Sequence, residues 1–349
     1  MKQSLSFRVT SYPESVDALI AFRNLNRAEK RDRRYFDWRY EARPCKQKPV
    51  ILWAEVQGQQ VGALSIFPHD FHIDEGTRTV GILGDISVCP EYRGQGIAGA
   101  MFRQLSRVET LQSLYGCLVL PNQEAAHPLA RSGWQDAERI ERFTKILDFA
   151  PRIARVARFG SIARIVAPAV NVVARWSSRE MYGRNLTRYQ GMADARIDAR
   201  FDELWQRSDK RGRIIGVRDK EYLRWRYQDH PLTPYHVFTL TTRDQLCGYI
   251  MHRQSGDLCY IDDIFCDNDR SSALQLVAHF LAHMRAQRES SAVTININQS
   301  YLALPWRHYG FVRRRDYQRV MTSECAARTG ILQEPGDTRW HISAGDKDV

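Results

Sequence analysis

A glycine-containing turn between a predicted strand and a predicted helix has the residues best suited to chemistry. Residues 84–98 read GDISVCPEYRGQGIA, and the strand ends near Val88. The first amide groups of a helix have no intrahelical acceptor and, together with the helix dipole, favour an anion. Gly94 and Gly96 would let a phosphate approach the backbone, because neither has a Cβ. The pattern predicts a pyrophosphate site formed by the following residues: Arg93, Gly94, Gln95, Gly96, Ile97 and Ala98.

The stretch from residue 88 to residue 98 reads V-x-P-x-x-R-G-x-G-I-A and resembles the coenzyme A-binding motif of the GNAT superfamily of acyl-CoA N-acyltransferases. In that family R/Q-x-x-G-x-G/A binds the pyrophosphate of coenzyme A. Arg93, Gly96 and Ala98 fill the defining positions of this motif. The resemblance implies acetyl-CoA or another acyl-CoA as a cosubstrate, and no metal is expected.

The resemblance also implies roles for residues outside the turn. The strand before the turn splays from its neighbour in this family, so the backbone of Ile86 and Val88 would bind pantetheine and polarise the thioester. Ser87 between them is a further cofactor-binding candidate. Asn122 occupies the place of a polar residue that contacts pantetheine, although it could equally cap the following helix. The family often has a tyrosine as the acid for the thiolate, and Leu129 stands at that position here. The acid must therefore come from elsewhere or be water.

Three side chains are candidates for removing the proton of an acceptor amine. Asp85 lies on the strand beside the expected thioester. It could act as a base, bind an ammonium group, or pair with an arginine as a structural carboxylate. His69 and His72 follow a strand predicted to end at Phe67, and histidine titrates near neutral pH. A surface-loop position without a catalytic role is the alternative for both histidines.

An internal repeat organises the chain. Residues 35–44 and 222–231 both read Y-x-x-W-R-Y-x-x-x-P. Weaker matches follow in the same order: Gly84–Ile86 with Asp262–Ile264, Pro121–Gln123 with Ile297–Gln299, and Gly133–Trp134 with Gly310–Phe311. Hydrophobic periodicity predicts the order β-α-β-β-β-α-β-α in each copy. This order predicts an α/β fold with a mixed sheet. Because both copies keep Trp38 and Trp225, packing is favoured over substrate stacking as their role.

The repeat and the resemblance together predict two tandem GNAT-like domains, at residues 1–148 and 187–322. A basic helical linker at 149–186 separates them, and a loose polar tail follows at 323–349. The second copy is predicted to be degenerate, since it has lost the phosphate motif. Its residues at the positions of Arg93, Gly94, Gly96 and Ala98 are Ser271, Ser272, Leu274 and Leu276. The expected role of this copy is to complete the acceptor cleft or to stabilise the first copy.

The segment between the copies is strongly basic. Residues 151–185 contain seven arginines and one glutamate around an imperfect apolar stripe. Peripheral contact with a membrane or a partner is one interpretation. Packing as a bridge between the domains is favoured, because the arginines do not segregate onto one face.

Composition limits the class of protein but does not choose the substrate. The formal net charge is +11 at pH 7, which fits an anionic partner such as a phosphate, an acidic substrate, nucleic acid or a membrane surface. The seven cysteines are scattered and form no C-x-x-C, which favours a reducing compartment without disulfides or zinc. With no apolar leader and no 18-residue apolar stretch, a cytoplasmic location is expected.

The sequence therefore predicts an N-acyltransferase that moves an acetyl or other acyl group from coenzyme A to a primary amine by direct attack in a ternary complex. The W-R-Y segment resembles GNAT proteins of bacterial surface-polysaccharide clusters, which implies a small-molecule acceptor such as an amino sugar. One alternative is a non-catalytic acyl-CoA-binding scaffold. Another is a Fem-type aminoacyl transferase that uses aminoacyl-tRNA, which the intact phosphate motif disfavours, so no nucleic acid partner is expected.

Overall fold

The computed structural model describes residues 4–73, 76–108, 111–156, 160–267, 270–298, 304–323 and 339–347. The strands are β1 (Leu5–Ser11), β2 (Val50–Val56), β3 (Gln59–Ile73), β4 (Gly76–Val88), β5 (Cys117–Val119), β6 (Gln135–Ile146), β7 (Gln190–Met192), β8 (Arg213–Gly216), β9 (His236–Thr242), β10 (Gln245–Ser255), β11 (Leu258–Cys266), β12 (Ala292–Ile297), β13 (Val312–Ser323) and β14 (Arg339–His341). The α-helices are α1 (Tyr12–Asn26), α2 (Arg33–Phe36), α3 (Ile97–Gln104), α4 (Gln123–Arg131), α5 (Ala150–Val156), α6 (Gly160–Trp176), α7 (Ala199–Arg207), α8 (Lys220–Leu223) and α9 (Arg270–Gln287).

These strands form one mixed sheet with helices packed on it. The strand order is β1-β2-β3-β4-β5-β13-β6-β12-β11-β10-β9-β7, and β8 pairs with both β3 and β14. The pairs β4–β5, β11–β12 and β8–β14 are parallel, and the other pairs are antiparallel. The prediction of a mixed α/β fold is confirmed.

The last strand of each half of the chain pairs with the other half. β13 lies between β5 and β6, with Met321 opposite Val119 and Gln318 opposite Ile140. β6 in turn pairs with β12. The sheet beside β5 is therefore completed by a strand from the far end of the chain.

The two repeated segments adopt the same local structure. Asp32 and Asp219 each cap a short helix, accepting hydrogen bonds from Tyr35 N at 3.0 Å and from Tyr222 N at 2.8 Å. Each helix continues into a π-helical turn, at Asp37–Glu41 and at Arg224–Gln228. The tyrosines and tryptophans of both segments are buried. Burial in both copies agrees with a packing role for the aromatic motif.

The end of the chain fills a gap in the sheet of the second half. β11 and β12 pair only as far as Ile261 and Ile295. Beyond that point, Asn298 N donates to Ile342 O at 3.2 Å and Ile342 N donates to Asn298 Oδ1 at 3.0 Å. Ile342 is fully buried, and Asp346 Oδ2 accepts from Arg218 Nη2 at 2.7 Å.

The expectation of a loose tail is therefore wrong for residues 339–347. Few residues of this segment are apolar, but Trp340 and Ile342 are both buried. The rest of the tail prediction, at 324–338 and 348–349, lies outside the described residues, as does Gln299 of the repeat.

The basic linker contains α5 and α6. Asn171 of α6 ties the two helices together, because its Nδ2 donates to Asp148 Oδ1 at 2.7 Å and its Oδ1 accepts from Phe149 N at 2.9 Å. Val173 and Trp176 of α6 are exposed, and membrane contact through this segment stays a prediction. Among the described residues, no helix combines the length and the hydropathy needed to span a bilayer.

Candidate functional site

The turn before α3 has the form expected of an anion site. Gly94 has φ 76° and Gly96 has φ 81°, a left-handed conformation that glycine adopts without strain. A Cβ at either position would meet no atom within 4 Å, so the space beside the turn is open. The first intrahelical bond runs from Ala100 N to Gly96 O at 3.0 Å. The amides of residues 97–99 consequently have no intrahelical acceptor.

The strand that leads into this turn has an open edge. β4 and β5 pair at Gly81–Cys117 and Ile82–Leu118, and beyond Ile82 no strand of the described residues pairs with β4 on that side. Cys89 N donates to Val61 O of β3 at 2.9 Å, and the two-residue alternation of a strand then directs the amides of Ile86 and Val88 to the open edge.

Two arginines support this orientation of β4. Arg27 Nη2 donates to Ile86 O at 2.7 Å, and Arg93 Nε donates to Val88 O at 3.1 Å. Both carbonyls therefore also face the open edge, and both arginines lie along it.

A cleft of about 770 Å³ joins the open edge to the glycine turn. Its lining contains ten of the residues that the sequence suggested: Asp85, Ile86, Ser87, Val88, Arg93, Gly94, Gly96, Ile97, Ala98 and Asn122. Gln95 is not part of the lining, because its Nε2 turns back to donate to Glu91 O at 3.0 Å. Asn122 caps α4 through a 2.9 Å hydrogen bond from Ala125 N. It also lines the cleft, and its contact with pantetheine stays a prediction.

Asp85 is held by cations and a phenol at the inner end of the cleft. Its carboxylate lies 3.2 Å from Arg23 Nε and 3.5 Å from Arg39 Nη2, and its Oδ2 accepts from Tyr40 OH at 2.8 Å. Burial favours a raised pKa, but Arg39, Arg23 and the hydrogen bond from Tyr40 hold the pKa of Asp85 below its ordinary value. An ionised carboxylate with three partners is a poor proton acceptor.

The backbone of Asp85 is also unusual. Its φ is 48°, and the β3–β4 register shifts there, since Ser65 pairs with Gly84 while Ala63 pairs with Ser87. Aspartate tolerates this left-handed conformation better than most residues. The resulting bulge bends β4 at the point where its open edge begins.

The structure does not bring His69 and His72 to the cleft. β3 continues to Ile73 and includes both, with His72 opposite Ile215 of β8. His69 is buried against Tyr222, with ring centroids 4.5 Å apart. Burial, followed by the charges of Arg43, Arg218 and Arg226, lowers the pKa of His69 well below its ordinary value.

Sequence reasoning did not identify several basic residues of the cleft. They are Arg23, Arg27, Arg39, Arg103, His127, Arg131 and Lys347. Arg39 belongs to the repeated motif, which was a signal of importance but not of position. Nothing in the sequence around Lys347 indicates that the end of the chain returns to the first half.

Residues 17–134 match the acetyltransferase (GNAT) family, and the match supports acyl transfer in general. No curated protein sequence matches the chain.

Several solved structures are similar in fold. A probable N-acyltransferase from Enterococcus faecalis superposes with a TM-score of 0.63 at 10% identity over 91% of this chain and 72% of its own. A GCN5-related N-acetyltransferase from Anabaena variabilis gives 0.62 at 14% identity over 92% and 73%. Eis1 from Mycobacterium abscessus gives 0.57 at 13% identity over 91% and 73%. At these identities the likeness establishes the fold alone, and it extends through both halves of the chain.

Proposed function

We propose that this protein is an N-acyltransferase that moves an acetyl or other acyl group from coenzyme A to a primary amine of a small molecule. The observation that carries the proposal is the meeting of two features in one cleft. The open edge of β4 ends at a left-handed glycine turn that begins α3. The open edge of β4 can form hydrogen bonds with the amides of a pantetheine arm, and the glycine turn can bind a pyrophosphate.

The residues at the turn fit the anionic part of acyl-CoA. The open space at Gly94 and Gly96 admits phosphate oxygens, and the free amides at the start of α3 donate to them. Arg103 lies close by, since a Cβ on Gly99 would meet its Nη1 at 3.4 Å. The bound cosubstrate would supply an activated thioester.

The open edge of β4 fits the uncharged arm of the same molecule. Amides of Ile86 and Val88 are positioned there to hold pantetheine and to donate to the thioester carbonyl oxygen. Such a donor stabilises the negative charge that develops on the oxygen during acyl transfer.

Asp85 has a positioning role in this proposal and is not the base. Its carboxylate fixes Arg23 and Arg39 at the inner end of the cleft. Asp263, the equivalent residue of the second half, pairs with Arg218 Nε at 3.0 Å. A carboxylate held by arginine in both halves favours a shared structural task over a catalytic one.

The second half does not bind acyl-CoA in this proposal. Ile342 and Ser343 occupy the gap between β11 and β12 that corresponds to the open edge of β4. Ser272 and Leu276 of α9 are buried, so the start of this helix lacks the open space of the glycine turn. The proposed layout therefore keeps one active GNAT-like domain and one degenerate domain.

One observation favours the alternative of an acyl-CoA-binding scaffold. Leu129 of α4 is fully buried, and a leucine side chain has no acidic proton. This position therefore cannot protonate a leaving thiolate. A scaffold would bind acetyl-CoA without turning it over.

A pair of glycine variants tests the proposal. Gly96→Val should abolish acetyl-CoA binding in calorimetry, because the side chain enters the space of the pyrophosphate. Gly58→Val is the matched control, since Gly58 in the β2–β3 turn also has a positive φ and no atom within 4 Å of a Cβ. Both variants carry the same type of backbone strain, and their thermal melts should fall together.

The two ways in which the proposal could fail have different readouts. Wild-type affinity in Gly96→Val would overturn the assignment of the turn. Release of free thiol from acetyl-CoA in the presence of amines separates the enzyme from the scaffold, which would release none.

A further inference from the structure

We infer that the acceptor amine carries an acidic group, a carboxylate or a phosphate, which binds at the inner end of the cleft near Lys347. The inference rests on the proposed function and narrows its substrate class. The lining of the cleft is strongly positive. Six arginines and Lys347 line it, against two carboxylates, Asp85 and Glu124.

The cations fall into two groups. Arg93, Arg103 and Arg131 belong to the glycine turn, α3 and α4, beside the proposed pyrophosphate site. The phosphates of coenzyme A would neutralise the charge of these three arginines. In the other group, Arg23 and Arg39 pair with Asp85 and Arg27 contacts the neighbouring Ile86. Lys347 joins this group through a small crevice that it lines together with Arg39.

The inner group has an excess of positive charge that acyl-CoA does not neutralise. Asp85 is shared between Arg23 and Arg39. Asp346 lines the crevice that Arg39 and Lys347 also line, but its carboxylate is already paired with Arg218. Arg27 donates to a backbone carbonyl. Lys347 is exposed, and its side chain makes no ion pair with the part of the chain that the structure describes. The pantetheine arm expected here is uncharged, so the missing anion has to come from the acceptor.

Lys347 is held in place by the residues just before it. Asp346 is anchored to Arg218 at 2.7 Å, and Ser343 N donates to Asp346 Oδ2 at 2.9 Å. Gly345 is packed so tightly that a Cβ would clash with the Tyr227 hydroxyl. Lys347 and Arg39 also line the same small crevice between the two halves. The backbone that leads to Lys347 is therefore fixed beside the cleft.

The same cations explain how an amine can react without a dedicated base. Positive neighbours disfavour the ammonium form and lower the pKa of the bound amine. The ammonium releases one proton to water, and the neutral nitrogen forms a bond to the thioester carbonyl carbon. The carbon–sulfur bond breaks, and a second proton from nitrogen passes through solvent to the thiolate. The acidic group keeps such an acceptor bound despite the repulsion that its ammonium meets.

Matched acceptors test this inference. Glucosamine is compared with glucosamine 6-phosphate, and tyramine with tyrosine, so that one pair reports on phosphate and the other on carboxylate. We expect kcat/KM to be at least tenfold higher for the acidic member of one pair. The Kd of each compound is also measured calorimetrically with coenzyme A present, so that a preference is detected even for a poor acceptor.

A charge-reversal variant of Lys347 is the second part of the test. Lys347→Glu should reduce the preference for the acidic member by at least tenfold, while Lys46→Glu, at an exposed lysine outside the cleft, should keep it. Equal kcat/KM and equal Kd within both pairs would overturn the inference while leaving the proposed function intact. An undiminished preference in Lys347→Glu would overturn the role of Lys347. Absence of acetyl-CoA binding by the wild-type protein would instead overturn the proposed function, and the inference with it.

Discussion

Trp38 and Trp225 exchange hydrogen bonds. The indole Nε1 of Trp38 donates to the carbonyl oxygen of Trp225 at 2.8 Å, and the Nε1 of Trp225 donates to the carbonyl oxygen of Trp38 at 2.8 Å. The two rings stack, with centroids 5.2 Å apart and planes 18° from parallel. The repeated motif therefore contacts its own copy, and the two halves meet through a locally symmetric pair.

Replacing either tryptophan by phenylalanine should destabilise the whole molecule. Trp38→Phe or Trp225→Phe removes one donor and leaves a buried carbonyl unsatisfied, which costs about 1–3 kcal/mol. Denaturant unfolding measures the loss, and the double variant should lose less than the sum because the two bonds share one contact. Single variants within about 0.5 kcal/mol of wild type would show that the exchange contributes little.

The sequence was sufficient to predict the repeat, the glycine turn and the mixed sheet, because each depends on local chemistry. A left-handed turn needs glycine at Gly94 and Gly96, whatever lies elsewhere. It was not sufficient to place His69 or Lys347. His69 was expected in a loop, but β3 is extended by pairing with β8, a partner from the other half. Periodicity within a segment does not encode which distant segment will cover it.

Acetyl-CoA should bind with a stoichiometry of one per chain. The second half has the splayed strands, but residues 342–346 fill the gap between them. Calorimetric titration or equilibrium dialysis measures the number of sites. A value near two would mean that the end of the chain can be displaced by the cosubstrate.

Asp85→Asn should chiefly lower stability. Asparagine tolerates the left-handed backbone, so the change removes charge without adding strain. Arg39, which is buried, then loses its counterion, and removing one partner of a buried ion pair costs about 3–5 kcal/mol. Melting temperature and kcat/KM are measured on one preparation. A fully stable variant whose kcat/KM falls at least 100-fold would restore Asp85 as the base.

Mild acid should destabilise the protein before carboxylates titrate. Burial is the main cause, and the charge of Arg218 the second, that lowers the pKa of His341 to about 3. Burial, followed by His236, lowers that of His252 to about 4. Between these values and the ordinary 6.5 the unfolded chain binds more protons, so stability falls as the pH falls. We expect a loss of about 1–2 kcal/mol for each histidine between pH 7 and pH 5.

Denaturant unfolding at pH 7, 6 and 5 measures this loss, and His252→Gln should make its slope shallower. The depressed pKa of Asp85 acts in a different window. The stabilisation that Asp85 contributes is fully present at pH values above the pKa of an unfolded aspartate, near 3.9. It is lost only as the pH falls below that value. Stability independent of pH from 7 to 5 would contradict buried neutral histidines.

The pairing of β13 with β5 and β6 has a consequence for the order of synthesis. On the ribosome, the segment that matches the acetyltransferase family emerges long before β13 is made. Until Val312–Ser323 leaves the exit tunnel, the edge of β5 stays without its neighbour. An unpaired strand edge invites association with other chains, and the nascent first half has such an edge until β13 is made. A gene fragment that stops after residue 148 would consequently yield an aggregating product and not a minimal enzyme.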